Sequence, residues 1–169
     1  MALFAPLFGA LEGAGARYVV IGGVAVVLHG YTRFTQGLDL VLDPEPEGAR
    51  RAMGALVSRG LRPVVPVDPL DFANPALRRQ WAEQRNMVVF SLRDPDNPLL
   101  LVDVLLESPV AFDGLYSRST VVSFQSVRVR VASLDDLIQL KRIAGRNRDM
   151  DDIRELEEIR KLLEGEQGT

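Results

Sequence analysis

Val20-Ile21-Gly22-Gly23, a spacer of thirteen residues and then Gly37-Leu38-Asp39-Leu40 is the stretch on which the reading of this chain turns. The run from Tyr18 to Ile21 is short and apolar and predicts a buried strand. Gly22-Gly23 follows at once, and residues 24–29 predict a short helix ended by Gly30, because glycine accepts the left-handed cap conformation. In this strand, glycine turn and helix, a phosphate can approach bare backbone while free N–H groups and the positive helix end face it. Leu38, Leu40 and Leu42 then alternate with Asp39, Val41 and Asp43, a second strand closed by Pro44 and Pro46. Its period of two sets positions 37, 39, 41 and 43 on one face, where two acids at 37 and 39 would make a metal-binding pair and only Asp39 is present.

Outward from this stretch, helices and strands interleave. Leu3, Leu7, Phe8 and Leu11 recur at helical spacing before Gly13-Ala14-Gly15, and residues 47–59 carry Ala49, Met53, Leu56 and Val57 on one helical face. Residues 61–65 predict a short strand and 66–75, with three prolines, a loop. The apolar runs 86–92 and 99–106 flank Asp94-Pro95-Asp96-Asn97-Pro98, which predicts an antiparallel hairpin. Residues 127–131 alternate with Arg128 and Arg130 as a strand with one wet face. Ser133 with Asp136 three residues on predicts a capped helix to about residue 143, and after Gly145 a last amphipathic helix follows, supported by a Glu157–Lys161 pair. The sum is a mixed α/β fold in one domain over residues 1–169, with a helical C-terminal segment from about 133.

Composition narrows the chemistry. Of 169 residues 47% are hydrophobic and 25% charged, as in one ordinary soluble domain. Twenty Lys and Arg against 23 Asp and Glu leave a net charge of −3, so no strong field draws the chain to nucleic acid or an anionic membrane, and a polyanion must be held locally. Without cysteine there is no disulfide, thiolate zinc site or thiol catalysis, and the single His29 excludes a histidine-rich metal site. Apolar runs fall far short of the ~20 residues of a membrane span, and the N-terminus lacks a basic region before an apolar stretch, so the chain reads as cytoplasmic.

One further acid stands out. Asp103 lies within Leu101-Val102-Asp103-Val104-Leu105, an otherwise apolar strand, where a lone carboxylate is costly unless paired, hydrogen-bonded, bound to a metal or left wet at a sheet edge. Mg²⁺ takes one or two carboxylates plus substrate phosphates, which Asp39 and Asp103 on neighbouring strands can supply.

These residues carry a resemblance. Val20-Ile21-Gly22-Gly23 with Gly37-Leu38-Asp39-Leu40 resembles the signature of the DNA polymerase beta-like nucleotidyltransferases: an apolar residue, Gly, Gly or Ser, a spacer and Asp-x-Asp. Gly22-Gly23-x-Ala25-x-x-x-His29-Gly30-x-x-Arg33-x-Thr35, with Leu134-x-Asp136-Leu137-x-x-Leu140-Lys141 and Gly145-Arg146-x-x-Asp149, is similar to small bacterial nucleotidyltransferases related to abortive-infection toxins, over roughly residues 18–159. The resemblance implies a mixed sheet flanked by helices and transfer of a nucleoside monophosphate from a nucleoside triphosphate. It implies Mg²⁺ (or Mn²⁺) held by Asp39 and Asp103, a triphosphate cradled by Gly22 and Gly23, an RNA, protein or small-molecule acceptor, and a cognate partner protein. The family pattern has aspartate where this chain has Gly37. Asp43 cannot replace it, since four strand residues span ~13 Å, and Glu107 is equally far from Asp103. A pseudoenzyme that binds nucleotide or a partner, an inactivating substitution, and a site completed by water or a partner all remain open.

Several residues carry two readings. Arg33 and Thr35 contact nucleotide phosphates or belong to a surface turn, and Lys141 reaches the triphosphate or snorkels to solvent. Arg146 and Asp149 form an ion pair capping the last helix, and His29 is a satisfied helix-end histidine or a base. Trp81 and Phe72 near Arg78, Arg79 and Arg85 make a stacking patch for RNA or simply pack.

Overall fold

The structure is a computed structural model that describes residues 1–167. Its strands are β1 (Tyr18–Ile21), β2 (Leu38–Leu42), β3 (Arg62–Pro63), β4 (Val89–Arg93), β5 (Leu101–Leu105), β6 (Thr120–Phe124) and β7 (Val127–Val131). The helices are α1 (Ala5–Gly13), α2 (Gly22–Leu28), α3 (Pro46–Ser58), α4 (Pro75–Arg85), α5 (Phe112–Arg118), α6 (Leu134–Ala144) and α7 (Asn147–Gln167).

The strands form one mixed sheet in the order β3-β4-β5-β2-β1-β7-β6. β1 and β2 are antiparallel at its centre, β5 lies parallel to β2, and β7 lies parallel to β1. All four residues of β1 are buried, as expected of a strand covered on both faces, whereas β4 and β5 alternate between buried and half-buried positions up to the exposed Arg93 at the end of β4. The hairpin read from the Pro- and Asx-rich turn is present: β4 and β5 pair from Val89↔Leu105 to Arg93↔Leu101. At its tip the Asp96 amide donates to the Asp94 carboxylate at 2.8 Å and the Leu99 amide to the Asn97 side chain at 3.2 Å.

Both ends of α6 follow their sequence signals. The Asp136 amide donates to Ser133 Oγ at 3.1 Å, and Gly145 closes the helix at φ +62°. Gly30 likewise takes φ +105° just beyond α2. His29 Nε2 donates to the Ala132 carbonyl at 2.8 Å, tying the end of α2 to the chain leaving β7, which is the satisfied helix-end role.

Three expectations are corrected. The stretch 66–75 is not simply a loop: residues Pro69–Ala73 form a 3₁₀ turn capped by the Asp68 side chain, and α4 follows, with Asn74 Oδ1 accepting from the Ala76 amide at 2.9 Å. Of the two readings of Trp81 and Phe72, the RNA patch is set aside and packing holds. Trp81 is 4% exposed and stacks on Phe90 at 5.4 Å, Phe72 packs on the same ring at 5.6 Å, and buried Arg78 donates to the carbonyls of Phe72 and Pro44. The Glu157–Lys161 pair does not form, because Glu157 accepts from Arg142 of α6 at 2.7 Å and Lys161 turns to Glu158 at 2.8 Å. Among the described residues no helix is long and apolar enough to cross a membrane.

Candidate active site

The register of the sheet lines up one row of side chains. Ile21 of β1 is opposite Asp39 of β2, Asp39 is opposite Asp103 of β5, and Asp103 is opposite Ser91 of β4. Neighbouring strands lie ~4.8 Å apart, so Asp39 and Asp103 are adjacent carboxylates on one face. Both line a cleft of about 340 Å³, within the range of small-ligand sites. Ser91 Oγ donates to Asp103 and orients it.

Asp39 is held differently. Among the described residues no hydrogen bond or ion pair reaches its carboxylate, and burial followed by the negative charge of Asp103 pushes its pKa up to about 6. The positive charges of Arg146, Lys141 and Arg148 oppose that rise without cancelling it.

The glycines that begin α2 are there because of what sits above them. Gly22 has φ +66°, and a Cβ on it would fall 2.1 Å from Asp39 Oδ2. A Cβ on Gly23 would fall 2.7 Å from Thr35 Oγ1. Thr35 Oγ donates to the Gly37 carbonyl at 3.3 Å, fixing the chain as it enters β2. Gly37 itself lines the cleft, and a Cβ there would meet only Leu101 atoms at 3.5 Å and beyond, which is ordinary contact. A Cβ at position 37 therefore fits without moving the backbone.

The far wall comes from α6 and α7. Lys141, 5% exposed, donates to Asp152 at 2.7 Å and to Asp149 at 3.4 Å. Asp152, 2% exposed, also accepts from Arg33, so one carboxylate joins the chain before β2 to both C-terminal helices. Asp149 accepts from Arg146 Nε at 2.8 Å and from the Arg146 amide at 3.2 Å, which caps α7 in the way the sequence suggested. Burial works against the charge of Asp149, but the Arg146 hydrogen bonds and the charges of Lys141 and Arg146 outweigh it and hold its carboxyl below the ordinary value. Lys141 thus neither snorkels nor stands free: it is a buried, doubly paired cation at the wall of the cleft.

Arg33, Thr35, Gly22, Gly23, Asp39, Asp103 and Lys141, which the sequence singled out, are brought to one cleft. Asp43 and Glu107 are not. Asp43 is buried against Arg17 at 3.2 Å and accepts from the Glu45 amide, while Glu107 lines a separate depression. Sequence reasoning missed Ser91, Arg148 and Asp152. Only the Arg-x-x-Asp-x-x-Asp spacing of Arg146, Asp149 and Asp152 on one helical face offered a signal for any of them.

A family model described as "Nucleotidyltransferase of unknown function (DUF6036)" matches residues 10–164. The chain belongs to this nucleotidyltransferase family. Solved structures of the same fold include the lincosamide antibiotic adenylyltransferase LnuA with lincomycin bound, 14% identical with a TM-score of 0.61 over 94% of this chain and 96% of the other. ANT(2")-Ia in complex with adenylyl-2"-tobramycin is 14% identical with a TM-score of 0.57 over 95% and 92%. TM1012 of Thermotoga maritima, assigned as a nucleotidyltransferase on a provisional basis, is 16% identical with a TM-score of 0.58 over 97% and 92%. No curated protein matches in sequence. At these identities the likeness is one of fold: a mixed sheet with flanking helices, common to nucleotidyltransferases.

Proposed function

We propose that this nucleotidyltransferase-family protein transfers a nucleoside monophosphate from a nucleoside triphosphate to a hydroxyl acceptor in the Asp39–Asp103 cleft. The observation that carries the reading is the pair itself: two carboxylates in register on parallel strands, neither with a cation in contact among the described residues, beside glycines that leave the backbone open. Two adjacent acids of which one lacks a partner suit a hard divalent cation, and Asp39 and Asp103 would hold Mg²⁺ (or Mn²⁺). When bound, such an ion supplies charge neutralisation and polarisation of the phosphate oxygens.

The chain's own groups do the rest. Gly22 and Gly23 admit the phosphates, Ser91 orients Asp103, and Arg33, Lys141, Arg146 and Arg148 set positive charge along the wall. Four cations face four carboxylates in the lining, Asp39, Asp103, Asp149 and Asp152, so the protein alone gives a triphosphate no net attraction and nucleotide binding is tied to the ion. The acceptor hydroxyl oxygen forms a bond to the α-phosphorus and releases its proton to water, the bond from that phosphorus to the bridging oxygen breaks, and pyrophosphate leaves with the electron pair.

A second reading is a non-catalytic nucleotide-binding or interaction module. It is favoured by Gly37, which offers no carboxylate, and among the described residues no group of three or more acids or histidines forms a cation cage. The acceptor, RNA in a toxin-like protein or else a protein or small molecule, and a cognate partner belong to the same proposal, as does a cytoplasmic location. Incubation with labelled nucleoside triphosphates, Mg²⁺ and RNA, protein or small-molecule acceptors tests it. Label transfer that disappears with EDTA supports the first reading. Metal-dependent nucleotide binding without transfer supports the second, and neither binding nor transfer defeats the first and leaves of the second only an interaction module.

A further inference from the structure

Phe34 sits at the mouth of the cleft and is 80% exposed. The chain has seven phenylalanines. Phe4, Phe8, Phe72, Phe90 and Phe112 are buried and Phe124 is half-buried, so Phe34 alone stands in water. Leaving a ring of this size exposed forgoes burial that the other six have, unless something else covers it.

The ring does not hang from a slack loop. Arg33 is anchored to buried Asp152, and its Nε donates to the Phe34 carbonyl at 3.3 Å. One residue on, Thr35 is pinned to the Gly37 carbonyl and packs above Gly23. Burial alternates along residues 33–37, half-buried at 33, 35 and 37 and exposed at 34 and 36, which is the pattern of an extended chain. Positions 33, 35 and 37 thus continue the line of Asp39 toward the charged floor, and position 34 presents its ring at the rim of the same cleft.

We infer that Phe34 is a stacking platform for the nucleobase of the bound nucleoside triphosphate and so positions the base end of the substrate. The inference rests on the nucleotide reading of the cleft. A flat apolar face at the rim of a site lined, Leu101 apart, by charged, polar and glycine residues suits a ligand with a polyanionic end and an aromatic end. Stacking is sequence-tolerant because every base has a π-face, so Phe34 strengthens binding of all four nucleotides more than it selects among them.

The test uses the full chain with Mg²⁺, and compares ATP, GTP, CTP and UTP with inorganic tripolyphosphate, which has the charge and no base. Phe34→Ala is expected to weaken binding of the four nucleotides roughly 5- to 100-fold in calorimetry and to leave tripolyphosphate affinity unchanged. Phe34→Trp provides a second readout independent of turnover, because Trp81 is the one native tryptophan and is buried on Phe90. Fluorescence of the introduced indole is expected to be quenched by the nucleotides and unaffected by tripolyphosphate. The inference is overturned if Phe34→Ala binds nucleotides as the wild type does, or if both ligands weaken equally. If the wild type binds neither ligand, the nucleotide reading of the cleft fails as well; if it binds both and Phe34→Ala changes nothing, only the role of Phe34 fails.

Discussion

Two pairs of acids, one buried and one half-buried, lie within one cleft and are treated in opposite ways. On the α6–α7 side, Asp149 and Asp152 are each met by cations: Lys141 and Arg146 for the first, Lys141 and Arg33 for the second. On the sheet side, Asp39 faces another carboxylate and touches no cation, and Asp103 has one hydroxyl donor. The first group is electrostatically complete in the protein alone, and its acid Asp149 is held below its ordinary pKa. The second is incomplete, and its acid Asp39 is pushed up to about 6. Completed charges hold a fold together, whereas uncompleted ones cost stability and are the place where a ligand cation is wanted. The contrast divides the cleft into a scaffold side and the side that we propose as its working part.

The largest effects should follow from the incomplete side. Asp39→Asn and Asp103→Asn are each expected to lower Mg²⁺-dependent nucleotide binding or transfer by about 100-fold or more while leaving the circular dichroism spectrum unchanged. If either variant binds and transfers as the wild type does, the pair is not the working part. Gly37→Asp adds a carboxylate on the same face, where a Cβ meets only ordinary contacts with Leu101. It is expected to tighten Mg²⁺ binding and raise nucleotide transfer, by on the order of tenfold. A properly folded Gly37→Asp protein with unchanged metal affinity would mean that position 37 does not reach the ion.

The proposed working part was largely legible in the sequence, and the scaffold less so. Asp39 could be located because strand alternation is strict, and Asp103 because an acid within Leu-Val-Asp-Val-Leu is conspicuous. Their register across a parallel pair had no local signal, since β2 and β5 are some sixty residues apart in sequence and meet only through the sheet. Helix α4 was hidden because its polar surface breaks the apolar period, leaving only Asn74-Pro75 as a start and Leu77 and Trp81 as a face. The β6–β7 hairpin was hidden by its turn, in which Gln125 and Ser126 both take positive φ at positions usually filled by Asn and Gly. Asp152 looked like one more charge on a wet helix because its partners, Arg33 and Lys141, come from distant elements.

The complete side predicts a stability effect. Asp152→Asn removes the carboxylate shared by Arg33 and Lys141 and leaves a buried ammonium with Asp149 alone, at 3.4 Å. The expected loss is about 3 kcal/mol in urea unfolding at pH 7. Arg142→Ala, which removes a pair between an exposed guanidinium and half-buried Glu157, should change stability by less than about 1 kcal/mol. Equal effects from the two variants would dissolve the distinction between completed buried charges and ordinary surface pairs.

The last effect runs the other way and is the most discriminating. A carboxyl whose pKa is raised on folding, here from 3.8 to about 6, is favoured in its neutral form by the native state. Between those values the folded protein binds more protons than the unfolded chain, so this contribution to stability is fully present below about pH 4 and is lost as pH rises through about 6. Asparagine resembles the protonated form, and Asp39 gives up no hydrogen bond when replaced. In EDTA, Asp39→Asn should therefore be more stable than the wild type at pH 8, by on the order of 1–2 kcal/mol, and the gain should vanish near pH 4. Added Mg²⁺ should narrow the gap at pH 8 by stabilising the wild type alone. Asp152→Asn destabilises and Asp39→Asn stabilises, although both remove one acid from the same cleft. If Asp39→Asn instead lowers stability at pH 8 in EDTA, Asp39 already has a compensating partner in the protein, and the sheet side of the cleft is scaffold too.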